Sequence, residues 1–535
     1  MKKSLGLLIV TVFMLVFSVA CSNESGGESS GEKGNNATGE AGTGPLNVSL
    51  TLMGGPKTPD AWVNEALAKD LTDHLDRDVT VEDIFLPSWS DAKTKINLMM
   101  SDKSSMPDVL WFWDMNKEYK QWVDAGVLQD LTPYLQSKGQ NIINYYNREN
   151  LFYSWDPSGK IYRIPGDVSE PGTMTTMIRK DWLDNLGLDV PTTIDEYVDV
   201  LRAFTFDDPD GNGKDDTYGI SGENLYRAFA PFFYAYGVDV EQFMIQDDGT
   251  IKYGSLMPET REVLELLQGL YKEGVIDPRV LTNTEQQDVD DIMANGKIGS
   301  IYRWVAFFNP ESTYNLAFKE KNPDGEYIAI DPIKGPSGFS SDVPSDAIGW
   351  SFLSVTGAAE EPETVVDVID RMASPETYRL ITFGQEGELY TIDENGVYDS
   401  KLSVDERNKL GLGNYNWYVQ RKDEANLENT PEVNELFAAR DKSSRPMREK
   451  IFFVKSLNRP MWTEYATDIN TLRDETFWGI ISGNLPITAY DDFVDQYGAL
   501  GGDKIDEETN KLYSEQKNQW EEFNAWYDEN IEPYK

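Results

Sequence analysis

LNVSLTL, residues 46–52, sets Leu46, Val48, Leu50 and Leu52 against Asn47, Ser49 and Thr51, the two-residue period of a strand with one buried face. Gly54-Gly55-Pro56 breaks that pattern, and Val63, Leu67, Leu71 and Leu75 then recur at every fourth residue, which predicts a helix with one apolar face. Val79-Thr80-Val81 predicts a second strand, residues 91–100 a second helix, and Pro107-Asp108-Val109-Leu110-Trp111-Phe112 a third, buried strand. Strand, helix, strand, helix, strand is the order that builds a mostly parallel α/β sheet.

The alternation returns further along. Thr193 and Glu196 have the spacing of a capping box and open a helix through Tyr197, Val198 and Leu201. Val263, Leu266, Leu267 and Leu270 mark another helix, and residues 297–302 and 348–355 read as strands. Pro362 stands at a favoured first helical position, ahead of Val365, Val366, Ile369 and Met372 on one face. From Arg459 onward the chain reads as helical and rich in Trp and Tyr. Such separated blocks suit two lobes crossed more than once by the backbone; periodicity itself reaches only as far as α/β.

Lys2 and Lys3 precede an apolar run at residues 5–17 that is too short to span a bilayer, so residues 1–20 read as an export signal. Cys21 is the only cysteine in 535 residues, which excludes a disulfide framework and any Cys-based zinc site. Its place after Ser18-Val19-Ala20 resembles a bacterial lipobox, in which a diacylglycerol is joined to the thiol; the competing reading is a plain secretory signal with an incidental cysteine. Residues 21–45 hold too little apolar surface to offset their ordering entropy and read as a flexible tether.

The formal net charge of −44 repels nucleic acids and anionic membranes, so neither is an expected partner. His74 is the only histidine, and its place near the end of an amphipathic helix suits a solvent-facing or capping role. Without a second histidine or a free thiol, Ser-His, Cys-His and His-zinc chemistry have no inventory. A glycoside hydrolase needs only two carboxylates, and among 92 acidic residues that class stays open.

Residues 106–135, MPDVLWFWDMNKEYKQWVDAGVLQDLTPYL, resemble the early signature of the extracellular solute-binding proteins of the type-1 sugar-binding group. IYRIP at 161–165, IRKDWLDNLGLDVPTTIDEYVDVLRAF at 178–204, DDPDGNGKDDTYG at 207–219, GQEG at 384–387 and YATDINTLRDETFWGIISGNLPITAYDDFVDQY at 465–497 resemble the same group, in the expected order. The resemblance is to the long, calcium-containing lipoproteins that serve oligosaccharide importers. It implies a two-lobed periplasmic-binding-protein type II-like α/β fold, with a hinge and an interlobe cleft that closes on ligand. The expected division puts residues 46–167 and about 350–385 in the first lobe, and 168–349 and about 386–535 in the second. The expected role is capture of an oligosaccharide and delivery to the permease subunits of an ABC-type importer. The chain would be a monomer outside the cell, held to the membrane only by its lipid. An exported glycoside hydrolase and a sugar receptor for a sensor kinase are the alternatives.

Asp208, Asp210, Asn212, the Lys214 carbonyl and Asp216 fall at the first, third, fifth, seventh and ninth positions of an EF-hand-like loop, with Gly213 at the turn. Alternating oxygens suit a hard cation, and Ca²⁺ is the expected cofactor, as a structural clip. Gly219 stands where a bidentate Glu would close the loop, leaving Thr217, a distant side chain or water to complete it. An acidic turn without metal is the competing reading.

Sugar rings offer apolar C–H faces to Trp and Tyr, and hydroxyls to carboxylates, amides and guanidinium groups. Trp62, Trp122, Trp182 and Trp478 lie on predicted helices and are expected in the core. Trp111 and Trp113 end a strand, where open α/β sheets place ligand crevices; they are expected to leave it on opposite faces, so that only Trp113, beside Asp114, reaches ligand. Arg303-Trp304, Trp350 and Tyr415 with Trp417 are loop aromatics next to polar groups and are the further candidates, with Glu386 between Gly384 and Gly387. For each of these, ordinary packing is the competitor.

Overall fold

The computed structural model describes residue 42 and residues 44–535, apart from 54–60, 88, 168–172, 284–285, 311, 345–347 and 395. The expected export signal, the lipid-bearing Cys21 and the Gly54-Gly55-Pro56 loop therefore lie outside the described residues.

Two sheets organise the chain. The first runs in the order Val79–Phe85, Leu46–Leu52, Val109–Trp113, Ser351–Val355, Ile164–Asp167. Its first three strands are parallel, while Ser351–Val355 runs antiparallel to both of its neighbours. The second has the order Tyr327–Ile330, Met174–Arg179, Ile298–Trp304, Tyr218–Ile220, with Met174–Arg179 antiparallel to both neighbours. Both sheets are thus mixed rather than mostly parallel. The strands that depart from parallel order are those by which the chain enters a lobe from the other one, and they arrive from the opposite end.

Each sheet has its own core. Leu50, Val109, Phe112, Leu353 and Val366 are buried in the first, and Ile178, Leu201, Phe204, Leu267 and Phe477 in the second. Burying such faces supplies the main drive to fold. The helices follow their sequence patterns: Trp62–Leu75 buries Val63, Leu67 and Leu71, Ile194–Phe206 opens on a complete Thr193–Glu196 capping box, and Pro362–Met372 carries its proline in the first turn. His74 faces Asp367 of that last helix at 2.7 Å, with the ring partly exposed. Among the described residues no helix is long and apolar enough to cross a membrane.

The C-terminal third does not stay with the second sheet. Tyr415, Tyr418 and Val419 join the first core, as do Phe523, Tyr527 and Ile531. Ile505, at the other end of the helix Gly502–Asn530, lies in the second core. At 29 residues that helix is roughly 43 Å long, enough to lie along both lobes.

Candidate functional site

Strand register brings the candidate residues to one end of each sheet. Ser351 pairs with Trp113 on one side and with Asp167 on the other, so Trp350, Trp113 and Asp167 share an edge of the first sheet. Trp304 pairs with Met174 in the second. Only residues 168–173 separate Asp167 from Met174, so both aromatic groups flank the point where the chain passes between lobes.

Five tryptophans meet on the first lobe. Trp111 and Trp113 are two residues apart on one strand, and the pleat sends such side chains to the same face, not to opposite faces. Their rings are 5.2 Å apart, Trp111 fully buried as the floor and Trp113 half-buried above it. Trp350 and Trp417 meet edge to face at 5.1 Å. Trp89, outside the expected set, lies 4.8 Å from Trp113 and 6.1 Å from Trp350 and keeps 49% of its surface exposed. An aromatic at a loop-to-helix junction, after Pro87 and opening the helix Trp89–Met99, Trp89 has the same loop placement as Trp350 and Trp417.

Polar groups border the indoles. Trp350 Nε1 donates to Asp167 Oδ2 at 2.5 Å, and Lys422 Nζ stands 3.4 Å from Oδ1. Asp167 is 5% exposed, and burial raises its carboxyl above the usual range against the pull of Lys422. Gly166 makes room for this arrangement: a Cβ there would lie 2.7 Å from the Trp417 carbonyl. Asp114 is exposed, sits at φ 42° and holds Lys93 at 2.7 Å.

On the second lobe, Arg303 and Trp304 end the strand rather than follow it. Arg303 is 2% exposed, paired with Asp290 and 3.6 Å from Glu223, so its charge is already committed inside the lobe. The accessible cation beside half-buried Trp304 is Arg227, 5.5 Å above the indole and bonded to Glu223 at 2.5 Å. Arg227 lies within a helix, where no loop signal marks it.

Two further candidates lie elsewhere. Tyr415 is 1% exposed, and its hydroxyl donates to Asp83 at 2.9 Å, which makes it a core residue. Glu386 lines a separate hollow of about 740 Å³ with Trp62, Glu65, Lys69, Arg379 and Tyr390, and none of the five clustered tryptophans borders it.

In the acidic loop, Asp208 accepts the backbone N–H groups of Asn212 and Gly213 at 3.1 and 3.0 Å. The Asn212 amide donates to Asp210 and Asp216 at 2.8 and 3.1 Å. Thr217 donates its hydroxyl to the Phe204 carbonyl at 2.9 Å, which commits it away from the loop. Gly219 lies so tightly on the preceding helix that a Cβ would come 2.5 Å from the Leu201 carbonyl, which leaves no room there for a glutamate. The donor types suit a hard cation. Among the described residues no group of three or more His, Cys, Asp or Glu side chains is placed to hold one ion.

Residues 54–378 match the family described as bacterial extracellular solute-binding protein. Lipoprotein LipO of Bacillus subtilis is 26% identical over 519 residues, which cover 92% of this chain and 96% of that protein. The polygalacturonan/rhamnogalacturonan-binding protein YtcQ of the same organism is 27% identical over 428 residues, 77% of this chain and 82% of its own. A solved HMO binding ABC-transporter associated solute binding protein of Bifidobacterium longum infantis superimposes with a TM-score of 0.68 at 20% identity, over 88% of this chain and 98% of that one.

Proposed function

This chain belongs to the family of bacterial extracellular solute-binding proteins, and on that footing we propose that it captures an oligosaccharide between its lobes and passes it to an ABC-type importer. The observation that carries the reading is the group of five tryptophans at the crossover end of the first sheet, floored by Trp111 and open at Trp89. Indole faces take the C–H faces of sugar rings, and the exposed Asp114 and Arg227 offer polar groups to hydroxyls. A pocket of apolar walls with a few placed polar groups is what orients a small ligand. Two relatives named for binding polygalacturonan or HMO support a glycan as the solute. Ligand that touches both lobes stabilises the closed form, which gives the importer a shape to distinguish loaded from empty protein. A relative named as a lipoprotein supports anchoring through Cys21.

Capture without turnover is the expected behaviour. Tryptophan fluorescence titrated with neutral and uronic-acid oligosaccharides should change saturably with at least one of them, and the bound sugar should be recovered intact. No saturable change with any glycan would overturn the sugar reading, and sustained release of shortened product would move the chain to the hydrolases.

A further inference from the structure

Among the described residues, the cations set against the clustered indoles and Trp304 each have a carboxylate of their own. Lys93 Nζ lies 5.7 Å from the centre of the Trp113 ring and 2.7 Å from Asp114 Oδ2. Lys422 faces Asp167, the carboxylate that the Trp350 N–H holds. On the second lobe, Arg227 lies 5.5 Å from the centre of the Trp304 ring and 2.5 Å from Glu223 Oε1. Behind it, Arg303 is buried between Glu223 and Asp290. These four cations meet four carboxylates, so their formal charges cancel at the crossover ends of both sheets.

Nor is the balance tipped toward positive by what surrounds it. Asp167 Oδ1 and Glu223 Oε2 are buried oxygens that accept no hydrogen bond, and the whole chain carries a formal net charge of −44. An anion that enters between apolar indoles gives up much of its hydration, and without a positive charge to meet it that loss stands. A neutral sugar needs no such charge. Its hydroxyls both donate and accept, and an ion-paired guanidinium or carboxylate keeps hydrogen-bonding positions to spare.

Resting on the sugar reading above, we infer that the site selects a neutral oligosaccharide over one that carries uronic acids. The ion pairs then serve as oriented hydrogen-bonding groups, with no net charge to attract an acidic ring.

Calorimetric titration of the full chain with neutral fructo-, galacto-, xylo- and manno-oligosaccharides, and with oligogalacturonates and oligomannuronates, tests this. The sugar that binds is then compared with its 6-oxidised uronate and with the methyl ester of that uronate, two ligands that differ mainly in charge. Binding should be found among the neutral sugars, and the uronate should bind roughly tenfold or more weakly than its ester, the scale of one uncompensated charge at a partly screened site. Asp114→Asn leaves Lys93 without its carboxylate and keeps a residue type that tolerates the φ of 42°. It should narrow the gap between uronate and ester by about threefold or more, most clearly at low salt. A uronate bound as tightly as its ester, or binding found only among the acidic sugars, would overturn the inference and leave the sugar reading in place. Absence of binding by every glycan would overturn both.

Discussion

Trp350 does two jobs with one side chain. Its ring meets Trp417 and Trp89 in the indole group, and its N–H holds the buried Asp167 carboxylate, which otherwise has Lys422 at 3.4 Å. A buried acceptor that loses a donor costs roughly 1–3 kcal/mol. Trp350→Phe, which keeps an aromatic ring and removes the donor, should lower urea-unfolding stability by about that amount; a loss below about 0.5 kcal/mol would mean that Asp167 is satisfied without it. At this scale the sequence was only partly readable. Trp113, Trp350 and Trp417 come together in one group, whereas the chain neighbours of Arg303 and Tyr415 say nothing of what those side chains meet. Their partners Asp290 and Asp83 lie 13 and 332 positions away, a relation that no local pattern encodes.

Helices are tied to one another by groups that belong to neighbouring elements. The helix Gln140–Tyr145 has no side-chain cap of its own. Asp370 of Pro362–Met372 supplies one, accepting the Ile142 N–H at 2.9 Å and the Asn141 amide at 2.8 Å. Burial pushes its carboxyl up to about 6, against an ordinary value of 3.8. The folded chain therefore holds this proton more tightly than the unfolded chain does. The resulting stability is full below about pH 4 and is lost as pH rises through 6, by roughly 3 kcal/mol in all. The stability of wild type relative to Asp370→Asn should accordingly fall across pH 4–6, and a flat difference would contradict the assignment. The helix Gly502–Asn530 is anchored at its far end by Phe523, whose ring meets those of Phe152, Trp155 and Tyr527 at 5.4–5.6 Å. Phe523→Ala should cost roughly 3–5 kcal/mol in denaturant unfolding, as large-to-small changes in a packed core do. Periods of 3.6 and 2 exposed most of these elements in the sequence, because they record which face is buried. They do not record which core a face joins, so the division of residues 386–535 between the lobes could not be read that way.

At the scale of the whole molecule, two α/β lobes are joined by crossovers, and the clustered indoles gather where the first of these leaves the sheet at Asp167. The strand order that places them there depends on Ser351–Val355 returning some 240 residues after Val109–Trp113, a pairing that local periodicity does not show. Working from a membrane surface would suit such a chain, and Cys21→Ser should shift it from the membrane fraction to the medium; retention on the membrane would point to another anchor. The central claim is that the five-tryptophan group, and not the hollow at Glu386, holds the sugar. Calorimetric titration of one bound oligosaccharide into wild type, Trp89→Ala and Trp62→Ala separates the two, because Trp89 opens the first and Trp62 lines the second. Removal of a central aromatic should weaken binding about tenfold or more. The prediction is that loss with Trp89→Ala and wild-type affinity with Trp62→Ala; full affinity in Trp89→Ala, with loss in Trp62→Ala, would contradict it.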